Sequence, residues 1–509
     1  MSTIDTVLGA ISNALFTWIL VWLLLGAGIY FTIRARAVQL RHIASIGRAV
    51  VGSRSGAHGG ISSFQAFAMG LACRVGTGNI VGVALALILG GPGAVLWMWV
   101  VAVLGTATAF TESTLAQLFK VRRPDGSFRG GPAYYISRGL RLPVVGGLFA
   151  VVFMTANGLA MPMVQANAIA NALGSAGDVP AWASALIVVT LTAPVLLGGL
   201  RAIARVTEWL APFMAVAYLL LVTVIIVTHP IEAWNALWSI VEGAFGLRAG
   251  LAGLAGGVTQ AVLNGVRRGL FSNEAGLGGA ACAAGAATVA HPVQQGFIQA
   301  FGVVLDTLFI CTATALAILV AGERVYVPGV TEEAAAGSLT QNAIAALMGE
   351  WTRWPMAVLI VVLAYSTILG AFSYAQVNLD YLTSRPWLAR ALQVGAVACA
   401  AVGSFQKLAT VWSLADILLG LGAIINLVAL VMLCRWVLGA LRDWEACGAK
   451  ALAMRVGRAQ DDGAPVFSVD SPYLPGVLPG DAWPHAAPED RPRNAAEERR
   501  LTGSGAGPR

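Results

Sequence analysis

The most constraining feature of this sequence is a series of long apolar runs separated by short polar or glycine-rich stretches. A helix needs about 20 apolar residues to cross the hydrocarbon core of a bilayer, and about eleven runs approach or exceed that length. Only 11% of the 509 residues are charged, against roughly 25% in an average soluble protein. These observations exclude an ordinary soluble enzyme and predict an all-α polytopic membrane protein with about eleven transmembrane helices. The predicted spans are 12–33, 62–90, 93–119, 144–172, 182–199, 206–228, 254–286, 296–321, 355–382, 388–403 and 409–435.

The distribution of arginine and lysine predicts the orientation of these spans. If the N-terminus lies outside, most basic residues fall in inner loops, and the outer loops carry only Arg248, Arg324, Arg353 and Lys407. Because cytoplasmic loops are enriched in Lys and Arg, we expect the N-terminus outside and the C-terminus in the cytoplasm. This distribution in the loops accounts for the net charge of +7, so no nucleic-acid partner is expected from it. Arginine supplies all but three of the 32 basic residues, which is typical of a GC-rich genome and suggests a bacterial cytoplasmic (inner) membrane.

Two segments of the chain share a pattern at an offset of 194 residues. Residues 74–82 (RVGTGNIVG) and 268–276 (RGLFSNEAG) have Arg, Asn and a second Gly at the same spacing, and Glu112 corresponds to Asp306 at the same offset. The first segment is predicted to run outward and the second inward, which indicates the inverted repeat of many secondary transporters. The predicted organisation is an extra N-terminal helix with a cytoplasmic loop (1–61), a first five-helix repeat (62–228), an interfacial amphipathic segment (229–253), a second inverted five-helix repeat (254–435) and a largely disordered cytoplasmic tail (436–509).

The first of these segments has a composition that interrupts a helix at membrane depth. Gly76 and Gly78 each cost about 1 kcal/mol in a helix interior, and a broken membrane helix is tolerated where its free backbone groups find partners or line a cavity. The amides of Thr77, Gly78 and Asn79 would begin a new helix and suit a carboxylate, while the carbonyls before the break would suit a cation. The pattern indicates a site for a zwitterion and Na+, although a glycine-rich helix-packing face has the same composition.

Five ionisable residues fall at or near membrane depth, namely Arg74, Glu112, Arg268, Glu274 and Asp306. Each is costly in a bilayer unless it is paired. The first expectation is a structural role, in which Arg74 pairs with Glu112 on the inner side and Arg268 with Asp306 on the outer side. Two alternatives remain open. The acids could accept hydrogen bonds from free amides at the breaks, or one of these groups could bind substrate or transfer a proton.

Three further polar sites lie within or at the ends of apolar runs. Adjacent hydroxyls such as Ser366 and Thr367 commonly hydrogen-bond back to their own helix, but they also offer two oxygens to a small hard cation. Gln165 could join two helices or line a cavity as a donor. His291 precedes a proline near the end of a span and is expected to be interfacial rather than catalytic. No Cys/His metal spacing and no phosphate-binding loop is present, so no cofactor is expected.

Seven longer motifs lie between residues 76 and 314. They are GTGN (76–79), GGPG (90–93), TESTLAQ (111–117), FRGGPAYY (128–135), GLFSNEAG (269–276), HPVQQG (291–296) and DTLFICTAT (306–314). Together they resemble the alanine or glycine:cation symporter family, the sodium:alanine symporters, and the resemblance extends over roughly residues 60–435. The resemblance implies a leucine-transporter-like fold, an inverted five-plus-five repeat that is preceded here by one extra helix. It also implies a secondary active transporter rather than an enzyme, with Na+ as the co-transported ion.

The resemblance also implies roles for individual residues. The substrate carboxylate would lie on the amides of the first break, and other side chains would line the rest of the pocket. The implied substrate-binding residues are Thr77, Gly78, Asn79, Gln165, Phe271, Ser272, Asn273 and Ala371. The implied Na+ ligands are the carbonyls of Ala72, Val75 and Leu363 and the hydroxyls of Ser366 and Thr367.

Two positions depart from the family pattern. Ala371 stands where members carry Trp or Asn, and Gln376 stands where Glu is usual. If residue 371 borders the pocket, its small side chain leaves room for a substrate larger than alanine.

The predicted function is import of small neutral amino acids, such as alanine and glycine, together with Na+ by alternating access. Two alternatives keep the same fold: a larger neutral amino acid such as glutamine, or protons in place of Na+. A passive channel, which could not accumulate its substrate, and an intramembrane enzyme, which does not explain the repeat, are the remaining classes. The expected partners are the amino acid, Na+ and the lipid bilayer, without an obligate protein partner.

Overall fold

The computed structural model describes residues 3–51, 61–246, 251–446, 466–479 and 482–485, and it is 82% helical. The all-α class predicted from the apolar runs is confirmed. The helices are α1 (Thr3–Leu15), α2 (Val21–Arg34), α3 (Val38–Arg41), α4 (Ile43–Val51), α5 (Ser63–Arg74), α6 (Val83–Gly90), α7 (Ala94–Leu118), α8 (Pro132–Gly139), α9 (Pro143–Thr155), α10 (Met161–Gly177), α11 (Ala181–Leu197), α12 (Gly199–Thr228), α13 (Pro230–Ala244), α14 (Leu251–Asn273), α15 (Gly279–Ala286), α16 (Pro292–Val303), α17 (Thr312–Ala321), α18 (Ala336–Met348), α19 (Arg353–Leu382), α20 (Pro386–Gly403) and α21 (Leu408–Ala446).

Shorter elements connect or interrupt these helices. In the part of the chain that the structure describes, four segments are π-helical, namely Phe16–Leu20, Gly78–Gly82, Ala156–Ala160 and Val304–Cys311. Three more are single 3-10 turns in the same described ranges, namely Gly322–Arg324, Glu333–Ala335 and Glu350–Thr352. The strands β1 (Val121–Arg122) and β2 (Phe128–Arg129) form an antiparallel hairpin after α7.

Within the described ranges, eight helical segments are long and apolar enough to cross a membrane, and a bent pair raises the number to nine. The eight are Asp5–Arg34, Ala94–Leu118, Pro143–Gly177, Gly199–Thr228, Pro292–Arg324, Glu350–Leu382, Pro386–Gly403 and Leu408–Ala446, and the bent pair is Ser63–Arg74 with Gly78–Gly90, at 44°. Two predicted spans do not meet this test. Helix α11 has only 17 residues, and the run 254–286 is divided between α14 and α15. The structure is that of a multi-pass membrane protein, while eleven spans and the five-plus-five repeat stay predictions.

The two interrupted helices lie side by side and run in opposite directions. At one end, the amide of Thr288 donates to the carbonyl of Ile61 at 2.9 Å, which joins the end of α15 to the residues before α5. At the other end, Asn264 Nδ2 donates to the carbonyl of Leu89 at 3.2 Å, which joins α14 to the end of α6. For these two helix pairs, this is the relation that the predicted inverted repeat requires.

One face of the bundle carries the loops that are predicted to be cytoplasmic, and we call it the inner face. The hairpin lies there, and Arg123 and Arg129 bind Asp380 near the end of α19 at 2.8 and 2.7 Å. The beginnings of α5 and α16 and the end of α21 lie on the same face. The opposite face, called the outer face, holds the end of α6 and the beginnings of α14 and α21.

Large apolar side chains are exposed around the sides of the bundle. Trp18, Trp209 and Phe213 are 77%, 80% and 66% exposed, which is the pattern expected where lipid covers the surface. The predicted amphipathic segment 229–253 contains α13, which exposes Trp234 and Trp238. Residues 247–250 of that segment lie outside the described residues.

The C-terminal tail departs from the predicted largely disordered segment 436–509. Residues up to Ala446 continue α21, and residues 466–479 and 482–485 lie on the inner face with Phe467, Val469, Leu478 and Trp483 buried. The composition indicated disorder because these apolar residues are widely spaced and follow no helical or strand period. The rest of the tail lies outside the described residues.

Candidate substrate and cation site

Helix α5 ends at Arg74 because the following residues leave the helical conformation. Val75 has φ −80° and ψ 81°. The amide of Gly76 donates to Asn79 Oδ1 at 3.0 Å, and the amide of Asn79 donates to the carbonyl of Gly76 at 3.2 Å. The Asn79 side chain thus satisfies one of the backbone groups that the break leaves free. The chain resumes as a π-helical segment, a type often found at functional sites, and the predicted break is confirmed.

The second interruption separates α14 from α15. Asn273, the last residue of α14, accepts the amide of Ala275 on its Oδ1 at 3.0 Å. Glu274 has φ +55°, and Gly276 and Gly278 have φ +90° and +99°. Glycine adopts such left-handed conformations without strain, whereas Glu274 is held there by the surrounding structure. The interruption that the repeat predicts is confirmed.

The two interruptions contact each other near the centre of the molecule. A Cβ atom on Gly78 would lie 3.3 Å from the ring of Phe271 and 3.5 Å from the Cα of Ser272. Asp306, on the π-helical segment between α16 and α17, joins both breaks. Its Oδ1 accepts a hydrogen bond from Asn79 Nδ2 at 2.5 Å, and its Oδ2 accepts one from Ser272 Oγ at 2.6 Å. These residues, predicted from distant parts of the chain, are therefore neighbours.

Other predicted pocket residues surround this contact. Thr77 Oγ1 donates to Gln165 Oε1 at 2.9 Å, whereas the buried Nε2 of Gln165 has no hydrogen-bond partner among the described residues. The buried Nδ2 of Asn273 is likewise unpaired in the described part of the chain. Both amides are donors that a ligand could use. Ala371 is fully buried on α19, and its place in the pocket stays a prediction.

Four oxygen atoms of α5 and α19 converge beside the first break. Thr367 Oγ1 donates to the carbonyls of Ala72 and Leu363, both at 3.0 Å. Ser366 Oγ lies 3.4 and 2.8 Å from the same two carbonyls. A Cβ atom on Gly76 would lie only 2.0 Å from Thr367 Oγ1, so the break reaches this cluster. Carbonyl and hydroxyl oxygens are ligands that small hard cations prefer.

The sequence left two arrangements open for the hydroxyls of Ser366 and Thr367, hydrogen bonds back to their own helix and oxygens offered to a cation, and the structure is compatible with both. The bonds to Leu363 run back along α19 itself, as in many apolar helices, but the bonds to Ala72 cross to the broken helix. Val75, the fifth predicted ligand, directly follows α5, and its participation stays a prediction.

The predicted ion pair between Arg74 and Glu112 is not formed. Arg74 Nη1 instead donates to the carbonyl and the side-chain oxygen of Gln299 at 3.1 and 3.2 Å, and Glu112 accepts from Asn426 Nδ2 at 3.2 Å. The physical reason is that each residue has a neutral hydrogen-bond partner within reach, Arg74 on α16 and Glu112 on α21. The alternative in which the acids accept hydrogen bonds describes Glu112 and Asp306 better. Glu112 has the backbone amide of Gly276, at the second break, as a donor besides Asn426. The donors to Asp306 are side chains.

The second predicted ion pair, Arg268 with Asp306, is also wrong, because Arg268 binds a different acid. Arg268 Nη2 lies 3.2 Å from Asp416 on α21, and Arg267 Nη2 lies 2.5 Å from the same carboxylate. Asp306 is instead engaged by the two breaks, as described above. The guanidinium of Arg268 also lies 4.8 Å from the ring of Trp412. This cluster joins α14 to α21 on the outer side of the breaks.

Several residues of the site were not singled out from the sequence. Trp412 covers Phe271, with ring centroids 4.4 Å apart, and Gln299 and Asn426 hold Arg74 and Glu112. A usable signal existed only for Asp416, the one acid in the predicted span 409–435. A lone acid in an apolar run requires a partner, and the nearby arginines of α14 were candidates.

These observations define a multi-pass helical membrane protein in which two broken helices meet at a buried polar centre, the arrangement of a secondary transporter. The sequence profile of the sodium:alanine symporter family matches residues 1–456. The chain therefore belongs to the sodium:alanine symporter family.

Relatives of known name cover most of the chain. The probable sodium/glutamine symporter GlnT of Bacillus subtilis is 39% identical over 87% of this chain and 91% of its own length. The amino-acid carrier protein AlsT of Bacillus subtilis is 38% identical over 92% and 96%. The sodium/alanine symporter AgcS of Methanococcus maripaludis is 38% identical over 81% and 90%. The family resemblance inferred from the motifs is confirmed.

Exchanging the charges of Arg74 and Glu112 tests the corrected contacts. We expect Arg74→Glu combined with Glu112→Arg to be at least as unstable as the worse single variant, because each new charge would lack a partner, at a cost of about 3–5 kcal/mol. Thermal unfolding of the purified proteins measures this. Glu112→Gln, which keeps the size and the Asn426 contact, is the milder control. Recovery of stability in the double variant would show that the two residues pair after all.

Proposed function

We propose that this chain is a sodium-coupled symporter that imports small neutral amino acids, alanine and glycine, across the bacterial cytoplasmic membrane by alternating access. The observation that carries the proposal is the oxygen cluster of Ala72, Leu363, Ser366 and Thr367 beside the α5 break. Oxygens between a broken helix and its neighbour have the chemistry of a Na+ site in transporters. Membership of the sodium:alanine symporter family supports it.

The substrate carboxylate is proposed to bind at the amides of Thr77 and Gly78. These amides lie where the chain resumes its helix, so the positive end of the helix dipole and free donors coincide. The unpaired Nε2 of Gln165 supplies a further donor. The ring of Phe271 lies against Gly78 and closes the pocket over a small side chain.

Coupling between the cation and the substrate follows from their shared use of the α5 break. A cation bound to the carbonyl of Ala72 and the hydroxyl of Thr367 holds the last turn of α5 against α19. Because Gly76 lies against Thr367, this contact also positions the amides that follow. Each ligand then stabilises the conformation that the other needs, which is the basis of thermodynamic coupling.

Alternating access requires a closure on each side of the site. On the outer side, Arg268 binds Asp416, and beneath them Phe271 packs on Trp412. Opening outward would separate α14 from α21 at these contacts. On the inner side, the hairpin arginines bind Asp380, and opening inward would separate the hairpin from α19.

The membrane potential supplies a driving force for such a symporter. One positive charge that crosses 100 mV gains about 2.3 kcal/mol, which corresponds to about fifty-fold accumulation of a neutral amino acid. The sodium concentration gradient adds to this.

Proton coupling is the alternative that a specific contact favours. Asp306 is fully buried and accepts hydrogen bonds from Asn79, Ser272 and Thr307, so it touches both breaks. A proton on this carboxylate would replace one of these accepted bonds and change the contact between the breaks. Such a group could therefore couple proton movement to opening.

Uptake into liposomes tests the proposed function. With an inward Na+ gradient, the purified protein should accumulate alanine and glycine above equilibrium, and replacing Na+ by K+ should abolish this. Uptake that never exceeds equilibrium would indicate a channel. Proton coupling would be supported if uptake proceeds without Na+ and depends on pH, and if this pH dependence is lost in Asp306→Asn. Absence of Na+-dependent uptake of alanine, glycine and glutamine would contradict the proposal.

Replacing Thr367 by valine tests the Na+ ligands. The loss of one oxygen should cost about 1–3 kcal/mol, so the Na+ concentration for half-maximal uptake should rise about five-fold to over a hundred-fold. Thr223→Val is the matched control, because Thr223 makes the same back-bond, to Leu219 at 2.7 Å, on the exposed surface of α12. An unchanged Na+ requirement in Thr367→Val would remove this residue from the cation site.

Replacing Ala371 by tryptophan tests whether this position limits substrate size. If it borders the pocket, uptake of glutamine should fall much more than uptake of glycine, because the ring removes space that only the larger substrate needs. Ala371→Ser is the control and should leave the preference unchanged. Competition of both amino acids against labelled alanine measures the effect. An equal change for glycine and glutamine would place residue 371 outside the pocket.

A further inference from the structure

A short C-terminal segment lies across the inner face of the bundle. We call residues 466–479 and 482–485 the C-terminal strap. Its apolar side chains Phe467, Val469, Leu478 and Trp483 are at most 5% exposed. The strap is folded on itself by bonds from the amide of Val469 to the carbonyl of Pro484 and from the amide of Leu478 to that of Val469, at 3.0 and 3.1 Å. It is thus an ordered element rather than an extended tail.

The strap caps the inner end of α7 with its only described tryptophan. Trp483 Nε1 donates to the carbonyl of Gln117 at 2.9 Å, one of the carbonyls that a helix end leaves free. The ammonium of Lys120 lies 4.4 Å from the ring of Trp483 and 4.2 Å from that of Phe128. Lys120 Nζ also donates to the carbonyl of Ala287 at 3.0 Å. Burial lowers the pKa of Lys120 to about 7, in agreement with a lysine that the strap seals from water.

The strap also binds the beginning of α16. The amides of Val466 and Phe467 donate to the carbonyl of Ala290 at 3.0 and 3.3 Å. The ring of Phe467 lies 5.0 Å from that of His291, and His291 caps α16 by accepting the amide of Val293 on Nδ1 at 3.2 Å. His291 is therefore a structural residue of the inner face.

A third set of contacts reaches the inner end of α21. Asp443 accepts hydrogen bonds from Ser471 Oγ at 2.6 Å and from His291 Nε2 at 3.0 Å. The strap backbone passes so close to α21 that a Cβ atom on Gly439 would lie 2.5 Å from the carbonyl oxygen of Tyr473. Gly439 is thus required for docking although it is not part of the strap.

We propose that the C-terminal strap is a latch that holds the inner face closed and must detach before the site opens inward. The strap joins α7, which belongs to the first predicted repeat, to α16 of the second repeat and to the end of α21, a helix that begins in the second repeat and continues past its predicted end at 435. Alternating access moves the two groups of helices relative to each other. Contacts that cross between them resist this movement while the strap is docked. The proposal rests on alternating access and goes beyond it, because it assigns control of inward opening to the tail.

Two labelling rates on the purified full-length protein test the latch. Modification of Lys120 by an amine reagent reports docking, with Lys407, whose side chain is 73% exposed, as the standard within the chain. Alkylation of Cys73 reports access to the α5 break, with the partly exposed Cys399 as the standard. Neither readout depends on which amino acid is transported.

The two strap variants are Trp483→Ala, which removes the ring over Lys120, and Gly439→Ala, which adds a methyl group where the strap must lie. We expect each to raise both relative rates roughly tenfold or more, since truncating a buried aromatic or overpacking a contact weakens docking by at least that factor. Trp209→Ala, which removes an exposed tryptophan far from the strap in sequence, is the control and should change neither rate. Gly439→Ala keeps the test decisive if Trp483→Ala does not fold.

Two outcomes would overturn the proposal. If Lys120 reacts no faster in either variant, the strap is not what seals it. If Lys120 becomes reactive in the variants while Cys73 stays protected, the strap seals Lys120 in the unaltered protein but does not hold the inner face closed. A protein that transports none of the amino acids contradicts the proposed function only, and the two labelling rates still decide the role of the strap.

Discussion

The structure depends on how backbone groups are satisfied where two helices break inside an apolar bundle. Each free amide or carbonyl at membrane depth needs a partner, and the two breaks supply partners for themselves and for each other. Asn79 closes the first break by accepting the amide of Gly76, and Asn273 closes the second by accepting that of Ala275. Asp306 then ties Asn79 to Ser272. The amides of Thr77 and Gly78 are proposed to bind the substrate, and the carbonyl of Ala72, which the hydroxyls of Ser366 and Thr367 approach, is proposed to bind the cation.

The buried charges are balanced unevenly around this centre. Three carboxylates, those of Glu112, Glu274 and Asp306, are buried near the breaks, and the charge of Arg74 acts on all of them. Glu274 accepts from the thiol of Cys73 at 3.0 Å and from Tyr374 at 3.2 Å. Hydrogen bonds from neutral donors and the charge of Arg74 thus both favour the ionised form of these acids.

The sequence predicted what local composition decides and missed what packing decides. Glycine content located the break after Arg74, and the adjacent hydroxyls of Ser366 and Thr367 indicated the oxygen cluster. The predicted ion-pair partners were wrong because such pairs depend on which helices pack against each other. Arg268 binds Asp416, and not Asp306, because α14 packs against α21 at this point. The strap was missed for a related reason. Its buried residues, such as Phe467 and Trp483, are separated by polar and proline-rich stretches and do not recur at the spacing of a helix or a strand.

The central claim is that a cation beside the α5 break and an amino acid on that break stabilise the same conformation. The most direct test is calorimetry on the purified protein in two series. One series measures the affinity for alanine with and without Na+, and the other measures the affinity for Na+ with and without alanine. We expect Na+ to tighten alanine binding by about five-fold or more, and alanine to tighten Na+ binding by the same factor, because the coupling is reciprocal. An alanine affinity that does not change with Na+ would contradict the shared site.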